Sequence, residues 1–251
     1  MKYNKSIIAL MLTACTSFMG ACSDSYMEDL NTDPSKADVI DPNAQLTTAQ
    51  LQTYGRLDLV EIYRSYLSAF NQQFMGCWNT TNYGGRHTIN NDVMGYWWTL
   101  GYTGQIANLV DAEYRTKDDP AKTNINAVLN IYKVYIMSVI TDLYGDVPYS
   151  EAGKGYLESI FNPKYDEQKD IYYDFFTVLS KAAEQLDPSK DAITGDVIYD
   201  GDVTKWKKFA NSLRLRFAMR ISNVDPQKAQ AEFENALTAD GGIFTSADDD
   251  A

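Results

Sequence analysis

The stretch NINAVLNIYKVYIMSVITDLYG, residues 124–145, decides the fold. Ile125, Val128, Leu129, Tyr132, Ile136, Val139, Ile140 and Leu143 recur at the three-and-four spacing of one helix face. Ala127, Ile131, Val134 and Tyr135 make the opposite side apolar as well, so this helix must be sandwiched between neighbours. Asn130, Lys133 and Asp142 interrupt it before it reaches the roughly 18 uncharged apolar residues that a bilayer span needs. Gly145 is placed to end it, with Asp146 and Pro148 suited to the turn that follows.

The neighbours it requires are present on both sides. Upstream, Leu59, Tyr63, Tyr66, Leu67, Phe70 and Phe74 form one stripe of a helix of about four or five turns, and Ile106, Leu109 and Val110 mark another. Downstream, Asp166 is a candidate N-cap for a helix that buries Ile171, Phe175, Val178, Leu179, Ala182 and Leu186. Asp202 or Thr204 can cap the next, with Trp206, Phe209, Ala210, Leu213, Phe217 and Ile221 as its stripe. Asp225-Pro226 opens a last helix that should run to Gly241-Gly242. Strand signals are thin, limited to a possible ribbon at 193–199. The predicted fold class is therefore all-α, an array of helix pairs of the tetratricopeptide kind, whose W-x-x-L-G start occurs at Trp97-Trp98-Thr99-Leu100-Gly101. Long loops interrupt it at 76–96, 145–165 and 188–202, and loops of that length in a compact helical domain are usually functional or partner-covered.

Composition narrows the function. The 251 residues, 45% apolar, can bury a substantial core as one large domain or two small ones. A formal charge of −12 and a pI near 4.5 leave no general attraction for nucleic acid. A single histidine, His87, removes the zincin and multi-histidine metal templates, and no Walker, C-x-x-C or G-x-S-x-G motif is present. No cofactor is implied.

The N-terminus reads as an address. Lys2 and Lys5 precede an apolar run to Ala14 and then small residues with two cysteines, the pattern of a secretory signal over residues 1–21. Cys15 and Cys22 both follow small residues. The polar Ser23-Asp24-Ser25 and Glu28-Asp29 after Cys22 suit a tether leaving a membrane, so lipidation is placed on Cys22, with residues 22–43 as a lipidated tether. Ordinary cleavage to a soluble secreted protein is the alternative. Removing residues 1–21 deletes two lysines and no acid, which makes the mature charge −14. Cys77 is then the only other mature cysteine, so no intrachain disulfide can form.

The loop 76–94 carries the richest binding chemistry. Sugars present apolar C–H faces and rings of hydroxyls, which call for aromatic platforms beside amide, guanidinium or carboxylate groups. Trp78, Asn79, Asn82, Tyr83, Arg86, Asn91 and Trp97 are the candidate ligand-binding residues. Against this, Trp97, Trp98 and Tyr102 can simply begin the next helix as core residues, and for Trp98 the core reading is the stronger. Asp142 and Asp146 invite a glycosidase reading, but a helix end and its turn explain both carboxylates better. The basic residues of 205–220 are expected to pair with carboxylates of neighbouring helices, and Asp248-Asp249-Asp250 to be solvated.

Four segments together resemble the SusD/RagB family of surface lipoproteins. They are Cys22 with Leu30-Asn31-Thr32-Asp33-Pro34; Asp142-Leu143-Tyr144-Gly145-Asp146-Val147-Pro148-Tyr149; Asn162-Pro163-Lys164-Tyr165-Asp166-Glu167-Gln168 leading into Ile171-Tyr172; and Gly201-Asp202 through Trp206 to Arg216. The resemblance implies a tetratricopeptide-like scaffold, a lipid anchor in the outer membrane facing the cell surface, and a non-enzymatic role. That role is to capture a glycan or other nutrient for a SusC-like TonB-dependent transporter. It also implies that residues 44–251 are the N-terminal portion of a domain about twice as long. A surface glycan-processing enzyme and a ligand-free helical adaptor are the alternatives.

Overall fold

The computed structural model of the chain describes residues 40–55, 57–75, 79–88 and 90–249, together with Met27. Cys22, the signal segment and most of the tether lie outside the described residues. The helical unit spans Asp41–Ala251. Its main helices are α1 (Pro42–Gly55), α2 (Leu57–Glu61, continuing through the π-helical Ile62–Leu67 into Ser68–Phe70) and α3 (Tyr96–Leu100, through the π-helical Gly101–Ile106, into Ala107–Thr116). They are followed by α4 (Thr123–Tyr144), α5 (Gln168–Gln185), α6 (Val203–Ile221) and α7 (Pro226–Leu237).

Packing is serial: α1 lies on α3, α3 on α4, α4 on α5, α5 on α6 and α6 on α7. The all-α, tetratricopeptide-like array is thus the observed architecture, and α4 is its sandwiched member. Ile125, Ala127, Val128, Leu129, Ile131, Tyr132, Val134, Ile136 and Ile140 of α4 are all buried, which uses both of its apolar sides. Tyr132, Phe175, Phe176, Trp206 and Phe217 are the bulkiest fully buried side chains of α4, α5 and α6.

Local chemistry sets the helix ends. Gly145 takes φ +79°, a backbone region costly for any residue with a Cβ, and stops α4. Asp202 Oδ1 accepts from Thr204 N at 2.8 Å to start α6, and Asp225 Oδ1 accepts from Lys228 N at 3.0 Å to start α7. Two other caps are supplied from far along the chain. Asp191 accepts from Asn124 N (2.8 Å) and Ile125 N (3.0 Å) at the start of α4. Asp146 Oδ1 accepts from Gln168 N at 2.9 Å at the start of α5. The cap expected of Asp166 is therefore not made: its carboxylate instead accepts from Tyr149 N (3.1 Å) and Ser150 N (2.7 Å), folding the 145–165 loop back on itself.

Other expectations change as well. In α2, Leu59, Ile62, Tyr66 and Ala69 face inward at ordinary three-and-four spacing, while Tyr63, Phe70 and Phe74 are exposed, so the buried stripe runs beside the aromatic one that was expected. Residues 193–199 form no ribbon, and the only β pairing among the described residues is an isolated Val147–Asp166 bridge. Helix α7 stops at Leu237, short of Gly241-Gly242, and the turn that follows presents the Asp240 and Gly242 carbonyls to Asn211 Nδ2, each at 3.0 Å. Asp249 is buried rather than solvated: Lys208 Nζ lies 2.6 Å from its Oδ1, and the Thr245 N–H donates to its Oδ2 at 2.9 Å. That ion pair, with the backbone donors, lowers the Asp249 carboxyl to about 2.

One buried anion organises the junction of α1, the 186–202 loop and α6. Asp196 accepts from Gln50 Nε2 (2.8 Å), Ile198 N (3.0 Å), Tyr199 N (3.2 Å), Gly201 N (3.1 Å) and Trp206 Nε1 (2.7 Å). Neutral donors alone satisfy it. The basic face of α6 is used locally: Lys207 pairs with Asp240 at 2.8 Å, Arg214 with Glu232 at 3.6 Å, and Arg220 with Asp142.

Candidate functional site

The segment between α2 and α3 is folded onto α2. Its described parts include short helical turns at Asn79–Asn82, Gly84–Arg86 and Asn91–Met94. Gly84 sits so close to α2 that a Cβ there would lie 2.1 Å from the Tyr66 carbonyl oxygen, so only glycine permits the approach. The Tyr66 hydroxyl donates to the Thr88 carbonyl at 2.8 Å and clasps the far side of the same turn. Asn90 spends its side chain on capping, accepting from Asp92 N and Val93 N.

This clasp brings two rings together that lie 17 positions apart in sequence. His87, held at φ +52°, places its imidazole 4.4 Å from the Phe70 ring, and Phe70 stacks parallel on Tyr66 at 6.4 Å. Phe70 and His87 are both exposed, and Asn82, Arg86 and Asn91 are exposed on the same loop. Tyr83 is half-buried against the core. Trp78 lies outside the described residues, and Asn79 opens the first short turn. Trp97 is fully buried, edge-on to Tyr63 at 6.3 Å, which corrects its expected place on a ligand surface: it is a core residue. Phe70 and His87 were not among the expected site residues. Phe70 fits a buried stripe in sequence, and the only signal for His87 is its position after Gly84-Gly85-Arg86, a turn that can turn a ring outward.

A second aromatic group follows at the start of α3. Trp98 is half-buried, edge-on to Tyr102 (5.1 Å) and Tyr144 (5.5 Å), and stacked on the exposed Tyr165 at 6.0 Å. The Tyr144 hydroxyl donates to the Met94 carbonyl and accepts from Trp98 N, pinning the exit of the 71–95 segment to the end of α4. Tyr102 donates to the Pro148 carbonyl at 2.6 Å, and burial pushes its phenol above the ordinary range, so it remains a donor. Each π turn thus supplies one tyrosine that anchors one long loop.

The Asp142/Asp146 pair is fully employed elsewhere: Asp142 accepts from the Tyr172 hydroxyl at 2.5 Å and from Arg220, and Asp146 caps α5. Among the described residues, no group of three or more His, Cys, Asp or Glu is placed to hold a metal ion. None of the described helices is long and apolar enough to cross a membrane.

Residues 34–251 match the model of a family described as SusD-like, starch-binding and associating with the outer membrane. The chain belongs to the SusD-like family. Solved SusD-like structures agree. A Bacteroidetes SusD-like protein, AC2a, is 45% identical, with a TM-score of 0.77 over 84% of this chain and 39% of its own. A chitin-binding protein is 40% identical, also with a TM-score of 0.77, over 83% of this chain and 45% of its own. A SusD homologue from Parabacteroides distasonis is 29% identical, with a TM-score of 0.72 over 84% and 41%. No curated protein matches. The chain covers less than half the length of these solved relatives.

Proposed function

We propose that this SusD-like protein is a surface lipoprotein that captures a neutral oligosaccharide and passes it to a SusC-like TonB-dependent transporter of the outer membrane. The observation that carries the reading is the surface on the 79–92 loop, where Phe70 and His87 form an exposed aromatic pair beside the amides and guanidinium of Asn82, Asn91 and Arg86. This is the pairing of ring face and hydroxyl partners that a sugar requires. Membership of a family described as starch-binding supports glycan as the ligand class, and the chitin-binding relative makes chitin oligosaccharides the first to test. Trp78 and Asn79 join this reading on their sequence position alone.

Stacked aromatic area contributes about 1–2 kcal/mol per ring at about 25 cal/mol per Å². Phe70→Ala combined with His87→Ala should therefore weaken chitohexaose binding tenfold or more in calorimetric titration of the full-length protein, with the melting temperature recorded alongside. Unchanged affinity in that variant contradicts the loop as the site. Binding without turnover is the proposed role, because both carboxylates that a hydrolytic reading would use are held in structural bonds.

Anchoring is proposed at Cys22. Replacing Cys22 by Ser should abolish metabolic lipid labelling and release the protein from the membrane fraction, whereas Cys15→Ser should leave labelling in place. Labelling that survives the first and is lost in the second assigns the lipid to Cys15 instead.

A further inference from the structure

A cavity of about 540 Å³ lies between α3, α4 and α5 and is closed on one side by the 145–165 loop. Its size falls within the range of small-ligand sites. Ile106, Val110, Met137, Ala152, Ile171 and Val178 supply apolar lining, and the other lining residues are polar. The charges of those walls are largely compensated from within. Lys133 Nζ lies 3.2 Å from Glu113 Oε2, Lys164 Nζ lies 3.3 Å from Asp166 Oδ1, and Lys154 Nζ lies 3.5 Å from Glu158 Oε1. Tyr149 donates its hydroxyl to Asp174 at 2.6 Å.

That arrangement selects a ligand class. An anion entering the cavity meets lysines already matched by carboxylates, and its own dehydration would not be offset. A neutral ligand rich in hydroxyls is less costly to dehydrate than an ion, and it recovers that cost by donating to carboxylate oxygens and accepting from ammonium groups on the same wall. Asp170, an exposed lining residue on the first turn of α5, offers further acceptor oxygens. The apolar face that a sugar also requires is adjacent in the chain: Tyr165, next to the lining residue Asp166, is 62% exposed and backed by the Trp98 ring. Tyr102 and Tyr144 hold that indole edge-on, so the stack is fixed before a ligand arrives.

We infer that this cavity, with Tyr165 beside it, is a second oligosaccharide subsite, separate from the 79–92 loop and built on different elements. The inference rests on the glycan-binding reading and adds a second point of attachment. A long oligosaccharide can then be held at two places, or two chains held at once, and a disaccharide engages one place only.

The test is calorimetric titration of the full-length protein with chitohexaose and with chitobiose, in wild type, Asp170→Ala and Val178→Phe. Asp170→Ala alters an exposed acceptor and leaves the core untouched, while Val178→Phe fills the cavity from its wall. Each should weaken hexasaccharide binding about tenfold, with the melting temperature of Asp170→Ala unchanged. Chitohexaose should also protect Lys164 from acetylation in the wild type. If the wild type binds chitohexaose and Asp170→Ala binds it equally, with Lys164 unprotected, the cavity is not a subsite and the loop reading stands. If no saccharide binds the wild type at all, both readings fall together.

Discussion

Trp206→Ala is expected to lower the stability of the protein by about 3–5 kcal/mol, the usual cost of truncating a buried aromatic side chain. Trp206 has no exposed surface and meets three other rings edge-on: Tyr132 at 6.4 Å, Tyr199 at 5.2 Å and Phe209 at 5.6 Å. The substitution removes those contacts, opens a cavity where α4, α6 and the 186–202 loop meet, and deprives Asp196 of its shortest hydrogen bond. Denaturant unfolding should show the loss as a lower midpoint with an unchanged slope. Glycan affinity measured well below the transition should match the wild type, since Trp206 touches neither proposed sugar surface. Unchanged melting together with lost binding would overturn its assignment as a core residue.

Asp196→Ala should destabilise by about 3 kcal/mol or more. A hydrogen bond to a charged group is worth about 1.5–3 kcal/mol, and the truncation leaves several buried donors unmatched at once. The groups stranded are the Gln50 amide, the Trp206 indole and the backbone N–H groups of Ile198, Tyr199 and Gly201. Asp196→Asn keeps the size and one acceptor oxygen, so its cost should be clearly smaller. Because Asp196 and Trp206 share a bond, the two alanine substitutions should cost less together than the sum of their separate effects. Strict additivity in that double-mutant cycle, or an Asn variant as damaging as Ala, would show that the carboxylate is not the organising group of this junction.

The elements most legible in the sequence were those in which a buried stripe coincides with an unbroken α-helical period. Helices α4, α5 and α6 bury most of the residues that their periodicity selects, from Ile125 to Ile140, Ile171 to Leu186 and Trp206 to Ile221, with Val139, Leu143 and Val178 half-buried. Periodicity misleads where one helix offers two apolar stripes. In α2 the stripe of Leu59, Ile62, Tyr66 and Ala69 is buried, and the neighbouring one that carries Tyr63 and Phe70 is exposed. Caps formed across long sequence separations are equally hidden: Asp166 precedes α5 directly, yet Asp146, 22 residues before Gln168, takes the cap.

The same limits apply to the candidate site. The segment between α2 and α3 could be singled out because polar, glycine and aromatic residues crowd together, and Asn82, Arg86 and Asn91 are indeed at its surface. Which ring faces outward depends on backbone rotation of about 100° per residue in a helix. Adjacent Trp97 and Trp98 therefore have different fates, the first sealed in the core and the second half-buried under Tyr165. Phe70 joins the surface only because the Gly84 turn folds back over Tyr66 and delivers His87 to its side.

The central claim, that this SusD-like protein holds a neutral oligosaccharide through the 79–92 loop and the Phe70 ring beneath it, is tested most directly by titrating the full-length wild type and its Phe70→Ala, His87→Ala double variant with chitohexaose and with N-acetylglucosamine. The account predicts that the wild type retains the hexasaccharide far better than the monosaccharide, and that the folded double variant binds the hexasaccharide at least tenfold more weakly. Equal hexasaccharide affinity in the two proteins, or a wild type that binds no saccharide, contradicts it.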